Sequence, residues 1–304
     1  MKDVVIAVVS GLALAVPAMA QELDGTLAKV KDTNTITIGY QEASMPFSYL
    51  DGNQKPVGYS IDLCLKIADA AKVAAGVPDA QTAFVPVTSA NRIPLLLNGT
   101  IDLQCGSATN NEERQKQVAF VNSHFLATNR ILSKKSAPVM TVADMQGKPV
   151  VSAAGTVGLN ILNQLNNSED LGMRVMSGKD TAEAFLILES DRAVAYVMDD
   201  VLLAVFAARS KNPDDYIMST ETLSKPEPYG LIIRKDDPAF KELADKVTAE
   251  IYQSPEIETI YAKWFQSPIP PNDLNLNYAM SAELKNAFAH PSSSFKPDDY
   301  AVNN

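Results

Sequence analysis

A chain of 304 residues, 46% hydrophobic and 20% charged, has an ordinary globular composition, and its length points to about two domains. A formal net charge of −10 excludes general affinity for nucleic acid or an anionic membrane surface, so any anion site has to be a local positive pocket. The two histidines and two cysteines lack metal-ligand spacing, and no cofactor or metal is expected.

Residues 1–20 read as a signal peptide. Lys2 opens a weak basic region, Val4 to Val16 is an apolar run, and Ala18-Met19-Ala20 is a small-x-small site before polar Gln21-Glu22. Cleavage after Ala20 and export to the periplasm are expected. Asp3 makes the leader untidy, which keeps an uncleaved anchor open as the alternative.

A short helix from Leu23 leads into the alternating strand Thr35-Ile36-Thr37-Ile38-Gly39-Tyr40. Gln41 to Tyr49 reads as a loop with exposed aromatics, Asp51-Gly52-Asn53 as a turn, and the segment after Gly58 as a helix. A strand at 82–87, a short helix at 91–97 and a strand at 101–104 follow. Strands alternating with helices imply an open, mostly parallel α/β sheet, whose ligands sit at the strands' carboxyl ends, where Gln41 and Ser107 fall.

The stretch from Cys105 to Arg114 joins that last strand to ERQKQVAF, read as a short helix. Thr109 or Asn110 can cap it, with Glu112 or Glu113 completing a capping box. Two readings stand: a capped turn with a surface Arg, or Ser107, Thr109, free N–H groups and Arg114 converging on a small carboxylate. Cys105 and Cys64 either form one bridge or pack as small apolar side chains.

After Phe125 to Ser133, an extended stretch, a second α/β unit begins. It holds a strand at 149–153, a helix opened by Gly155-Thr156-Val157-Gly158, a strand at 173–176, a helix at 181–188, and a strand at 193–198 ending in Asp199-Asp200. The glycine turn is not a dinucleotide fingerprint; a helix N-terminus facing a carboxylate and a turn needing glycine for its backbone both fit. Glu227 to Arg234 is extended again, Asp236-Asp237-Pro238 caps a long amphipathic helix, and the tail from Ser281 holds one possible helix before a polar, Pro- and Ser-rich end that reads as disordered. Two extended crossings give a hinged, two-lobe layout with a ligand cleft between lobes. The expected division is 21–128 and 229–280 in one lobe, 129–228 in the other, and 281–304 as a tail.

GYSIDLCLKIADA (58–70), the long stretch from Thr88 to Phe120, RAVAYVMDD (192–200), YGLIIRKDDPAF (229–240) and KWFQSPIPPNDLNLN (263–277) resemble one family. It is the polar amino-acid-binding proteins of ABC importers, and within it the glutamate/aspartate binders. The resemblance runs from about Leu23 to Asn277. It implies the periplasmic-binding-protein fold, two open sheets with flanking helices joined by a two-segment hinge. It also implies delivery of an amino acid to a membrane permease by a monomer that is not itself membrane-embedded.

By the same resemblance Arg114 holds the α-carboxylate, Ser107 and Thr109 line the α-groups, and Asp199 takes the ammonium. Thr156 and Val157 close on the carboxylate, and Ser89 and Arg92 read the side chain. Gln41 and Thr181 depart from the acidic-ligand pattern, which has Arg and His there. The expected ligand is therefore glutamate or aspartate, with glutamine or asparagine also admitted because Gln41 offers both a donor and an acceptor. A dehydratase-like enzyme on the same fold is the competing class, though no catalytic constellation surrounds His124 or His290.

Overall fold

Ile36 and Ile38 point inward between threonines, and that alternation makes Thr35–Tyr40 a core strand of the first lobe. The computed structural model describes residues 23–302, so the leader lies outside the described residues. The first sheet has five strands in the order Gln81–Pro86, Thr35–Tyr40, Leu103–Cys105, Ile232–Arg234 and Val118–Phe120. The first three run parallel; the return strand Ile232–Arg234 enters antiparallel to both its neighbours.

The second lobe repeats the plan. Arg174–Gly178, Pro149–Ala153 and Ala195–Asp199 are parallel, and Asn129–Lys134 and then Tyr216–Met218 complete the sheet. Asn129–Lys134 is antiparallel to both neighbours. Each sheet is thus parallel except where the hinge feeds it. The crossings themselves pair as a two-stranded ribbon, Phe125–Ala127 against Glu227–Tyr229, with Tyr229 opposite Phe125. This is the two-lobe fold that the sequence resemblance implies.

Four local expectations are corrected. Val118–Phe120 is a strand rather than the end of a helix: the helix stops at Gln115, and Val118 and Phe120 bury their side chains while their backbone pairs with the return strand. The helix is capped by Asn111, whose Oδ1 accepts from Arg114 N–H at 2.9 Å, not by Thr109 or Asn110. Phe47 and Tyr49 are buried, because a small three-stranded ribbon from Ala43 to Val57 folds Phe47 against Phe125, Tyr229 and Phe265 under the hinge. The polar end of the tail is ordered, with Tyr300 buried, and the helix expected before it forms. Ala282–Ala289 is a helix capped by Ser281, and Phe288 lies 4.8 Å from Tyr252. Apolar Leu284, Ala287 and Phe288 supply the buried face of that helix.

Cys64 and Cys105 are disulfide-bonded, which fastens helix Tyr59–Ala74 to the strand just before the Ser107 loop. A second fastening is ionic. Asp102, fully buried, accepts from Lys29 Nζ at 2.8 Å, Arg234 Nη2 at 3.1 Å and Thr37 N–H at 3.0 Å. Arg234 also donates to Thr26 Oγ1 at 2.6 Å, so the return strand is locked to the lobe's first helix. No described helix is long and apolar enough to cross a membrane.

Candidate ligand-binding cleft

Strand ends deliver most of the candidate residues to one place. Tyr40 ends its strand, so Gln41 follows at the carboxyl edge; Cys105 ends the neighbouring strand, so Ser107 and Thr109 follow beside it. Gln41 is buried, with one bond to each polar atom of its amide. Its Oε1 accepts from Ser107 N–H at 3.2 Å and its Nε2 donates to Ser89 Oγ at 3.3 Å. Gly106 is required next to it, because a Cβ there would run into Gln41 Oε1 and lie 2.9 Å from Gln104 Nε2. Gln41 therefore braces two candidate residues, spending one donor and one acceptor of its amide on the protein.

Arg92 opens helix Arg92–Leu97 and is 2% exposed, yet its Nε and Nη1 have no hydrogen-bond partner among the described residues. Burial, and then the Arg114 charge, disfavour its protonated form; Tyr229 and Asp199 act the other way. Arg114 is half-buried. Its Nη1 donates to Thr109 O at 2.6 Å and its Nη2 to Gly155 O at 3.0 Å, across the cleft. Burial again lowers its pKa, opposed first by Asp199.

Asp199 ends the strand Ala195–Asp199 and faces these cations from the second lobe. Its Oδ2 accepts from Tyr229 Oη at 2.5 Å. Burial pushes its carboxyl up to about 7; the Tyr229 hydrogen bond opposes this, and Glu227 and Asp200 add to it. Thr156 caps the helix Val157–Ser168, accepting from Leu159 N–H at 3.3 Å. The first-turn amides at Val157 and Gly158 then have no helical carbonyl behind them, as an anion receptor requires. Thr181 Oγ1 donates to Ala43 O at 3.0 Å, a second bond between the lobes.

Two participants escaped sequence reasoning. Tyr229 holds Asp199, and Glu227 is pinned by Asn129 Nδ2 at 3.0 Å while adding negative charge near Arg114. Both lie in a hinge strand whose alternation signals only extension. His124 is fully buried against Phe47 and Tyr59, with Nε2 3.0 Å from Ser60 Oγ, and burial lowers its pKa to about 3. It is a neutral packing residue in the hinge. His290 sits at the end of the tail helix.

The arrangement presents two guanidiniums, the carboxylates of Asp199 and of Glu227, the latter pinned by Asn129, and a set of backbone dipoles between two closely apposed lobes. Gly155, at φ +73°, shows how close: a Cβ there would stand 2.6 Å from Ala90 Cα.

Comparisons with known proteins identify the family and the fold. The profile of the bacterial extracellular solute-binding proteins, family 3, matches residues 36–267. The chain is 48% identical over 286 residues to the L-glutamate/L-aspartate-binding protein of Pseudomonas aeruginosa, covering 94% of each chain. It is 45% identical over 289 residues to the glutamate/aspartate import solute-binding protein of Escherichia coli, again covering 94% of each. A crystal structure of a mutant ArgBP from T. maritima superposes with a TM-score of 0.69 at 31% identity, covering 80% of this chain and 100% of that one. With a profile match across most of its length and relatives this similar over nearly all of it, the chain belongs to the bacterial extracellular solute-binding proteins, family 3.

Proposed function

We propose that this protein captures glutamate or aspartate between its lobes and delivers it to the membrane permease of an ABC importer. The observation that carries the reading is Arg92. A buried guanidinium with unpaired nitrogens is costly, and a ligand carboxylate supplies the missing partner. An acidic amino acid has two carboxylates and one ammonium, which Arg92, Arg114 and Asp199 match in number and sign. The relatives' names support the same ligand class.

In this reading Arg114, Ser107 and Thr109 take the α-carboxylate with the Thr156–Val157 helix start, and Asp199 takes the ammonium. Arg92 takes the side-chain carboxylate. Ser89, Gln41 and Thr181 shape that end of the pocket. Gln41 is held by Ser107 and Ser89, and the unpartnered donors of Arg92 favour a carboxylate, so acids bind in preference to glutamine and asparagine. The protein is exported with cleavage after Ala20 and works as a monomer without turnover.

Mass spectrometry of small molecules released from the natively purified protein, followed by calorimetry with glutamate, aspartate, glutamine and asparagine, tests this. Glutamate or aspartate is expected intact in the released fraction, with both binding more tightly than their amides. Equal affinity for acid and amide would remove Arg92 from the side-chain role.

A further inference from the structure

The segment after Ala289 lies beyond the residues that the family profile matches, yet it is bonded to the loop that carries Arg114. Asn110 Nδ2 donates to Ser293 O at 2.9 Å and to Ser294 O at 3.2 Å, and Gln115 Nε2 donates to Ser293 O at 3.0 Å. Ser123 N–H donates to Ser292 O at 2.8 Å. Tyr300, buried, anchors the far end: its hydroxyl lies 2.7 Å from Ser123 Oγ and donates to Ser294 O at 2.6 Å.

Asn110 is the meeting point. It is 1% exposed, its Oδ1 accepts from Gln115 at 2.9 Å, and its backbone N–H donates to Pro228 O at 2.7 Å. Thr109 forms a bridge with Tyr229 on that same side. The loop is therefore clamped, with the hinge's return strand on one side and the tail on the other. Thr109 O, one residue away, receives Arg114 Nη1. A guanidinium fixed by a carbonyl is only as well placed as that carbonyl.

We propose that the C-terminal segment Pro291–Tyr300 is a strap that positions the ligand site, pre-orienting Arg114 by holding Asn110 and Gln115. Pre-organisation of a binding group raises affinity by lowering the ordering cost on association. The strap acts on the group assigned to the α-carboxylate, so it sets affinity for every amino-acid ligand alike and leaves selectivity unchanged. The identity of the ligand and the α-carboxylate role of Arg114 rest on the proposed function; the clamping of residues 107–117 does not.

The test uses full-length protein carrying Tyr300→Phe or Tyr300→Ala. The first removes the hydroxyl alone, and keeps the test decisive should the second fail to fold. Hydrogen exchange of residues 107–117 is followed in ligand-free protein, and calorimetry is run with glutamate and with aspartate. Faster exchange in 107–117 is expected, with both affinities reduced by one common factor of about two- to tenfold. Unchanged affinities in every folded variant, a loss confined to one ligand, or weakening without faster exchange would each overturn the proposal. Should the wild-type chain bind neither amino acid, the proposed ligand falls, while exchange in the ligand-free protein still decides the strap.

Discussion

Arg92 and Asp199 carry opposite burdens at the residue scale. Replacing Arg92 by Met keeps the volume and removes an unpaired buried charge, so the ligand-free protein is expected to gain about 1–4 kcal/mol of stability. Glutamate affinity should fall by about 3 kcal/mol or more, roughly two decades, because the ligand's side-chain carboxylate is then stranded. Thermal melts and calorimetry on the same variant check both signs; a variant that binds glutamate normally would refute the role of Arg92. For Asp199, the carboxyl at about 7 means that an ammonium meets a protonated acid below neutrality. Binding at pH 6 should therefore release close to one proton, and affinity should fall roughly tenfold per pH unit below about 6. Calorimetry in two buffers of different ionisation enthalpy measures that proton. The folded pKa is raised from 3.8, so the native state holds an extra proton between pH 4 and 7, and stability from this group falls as pH rises through that window. Asp199→Asn should flatten that slope while abolishing binding. Gln41→Met, which loses both amide contacts, should weaken glutamate and glutamine together by about 1–2 kcal/mol. A change in their ratio would instead make Gln41 a reader of the side chain.

Elements differ in how openly the sequence announces them. Thr35–Tyr40 is legible because Ile36 and Ile38 alternate with threonine, and the helix at Thr181–Glu189 because Asp180 caps an apolar run. Val118–Phe120 was not: three residues are too few to set a period, and the strand exists only because Ile232–Arg234 comes back from a hundred residues away to pair with it. The burial of Phe47 and Tyr49 and the order of the tail have the same origin, contacts made after long returns of the chain. The helix Asp200–Arg209, apolar on most faces, carries almost no amphipathic signal in the sequence. At the site, the strand-end residues were legible from topology, whereas Tyr229 needed the hinge register to be found near Asp199. The disulfide could not be decided from two cysteines in apolar runs. It spans 41 residues, for which loop closure predicts about 4 kcal/mol. Cys64→Ser with Cys105→Ser should lower unfolding free energy by about 2–4 kcal/mol in denaturant titration; an unchanged midpoint would show the bridge idle.

For the whole molecule, lobe apposition is the controlling variable. Arg114 to Gly155 and Thr181 to Ala43 are hydrogen bonds that exist only when the lobes meet, and Gly155 meets Ala90 backbone to backbone. Gly155→Ala should wedge the lobes apart by about the size of a methyl group. Glutamate affinity should drop more than tenfold although no ligand-facing side chain changes, and small-angle scattering should show little compaction on adding ligand. Normal affinity with normal compaction would mean that the observed approach is not the binding geometry.

The knot of Asp102, Lys29, Thr26 and Arg234 has a consequence in time as well as in space. Arg234 belongs to the strand that sits in the interior of the first sheet, and Val118–Phe120 pairs with it alone. A ribosome making this chain from its first residue therefore emits the second lobe's sheet complete, from Asn129 to Met218, before the first lobe can close its own. The lobe begun first is finished last. Until some 230 residues have emerged, Asp102 awaits its guanidinium and the first sheet lacks the strand that joins Val118–Phe120 to the other three, so the nascent chain stays open to any machinery that must thread it unfolded.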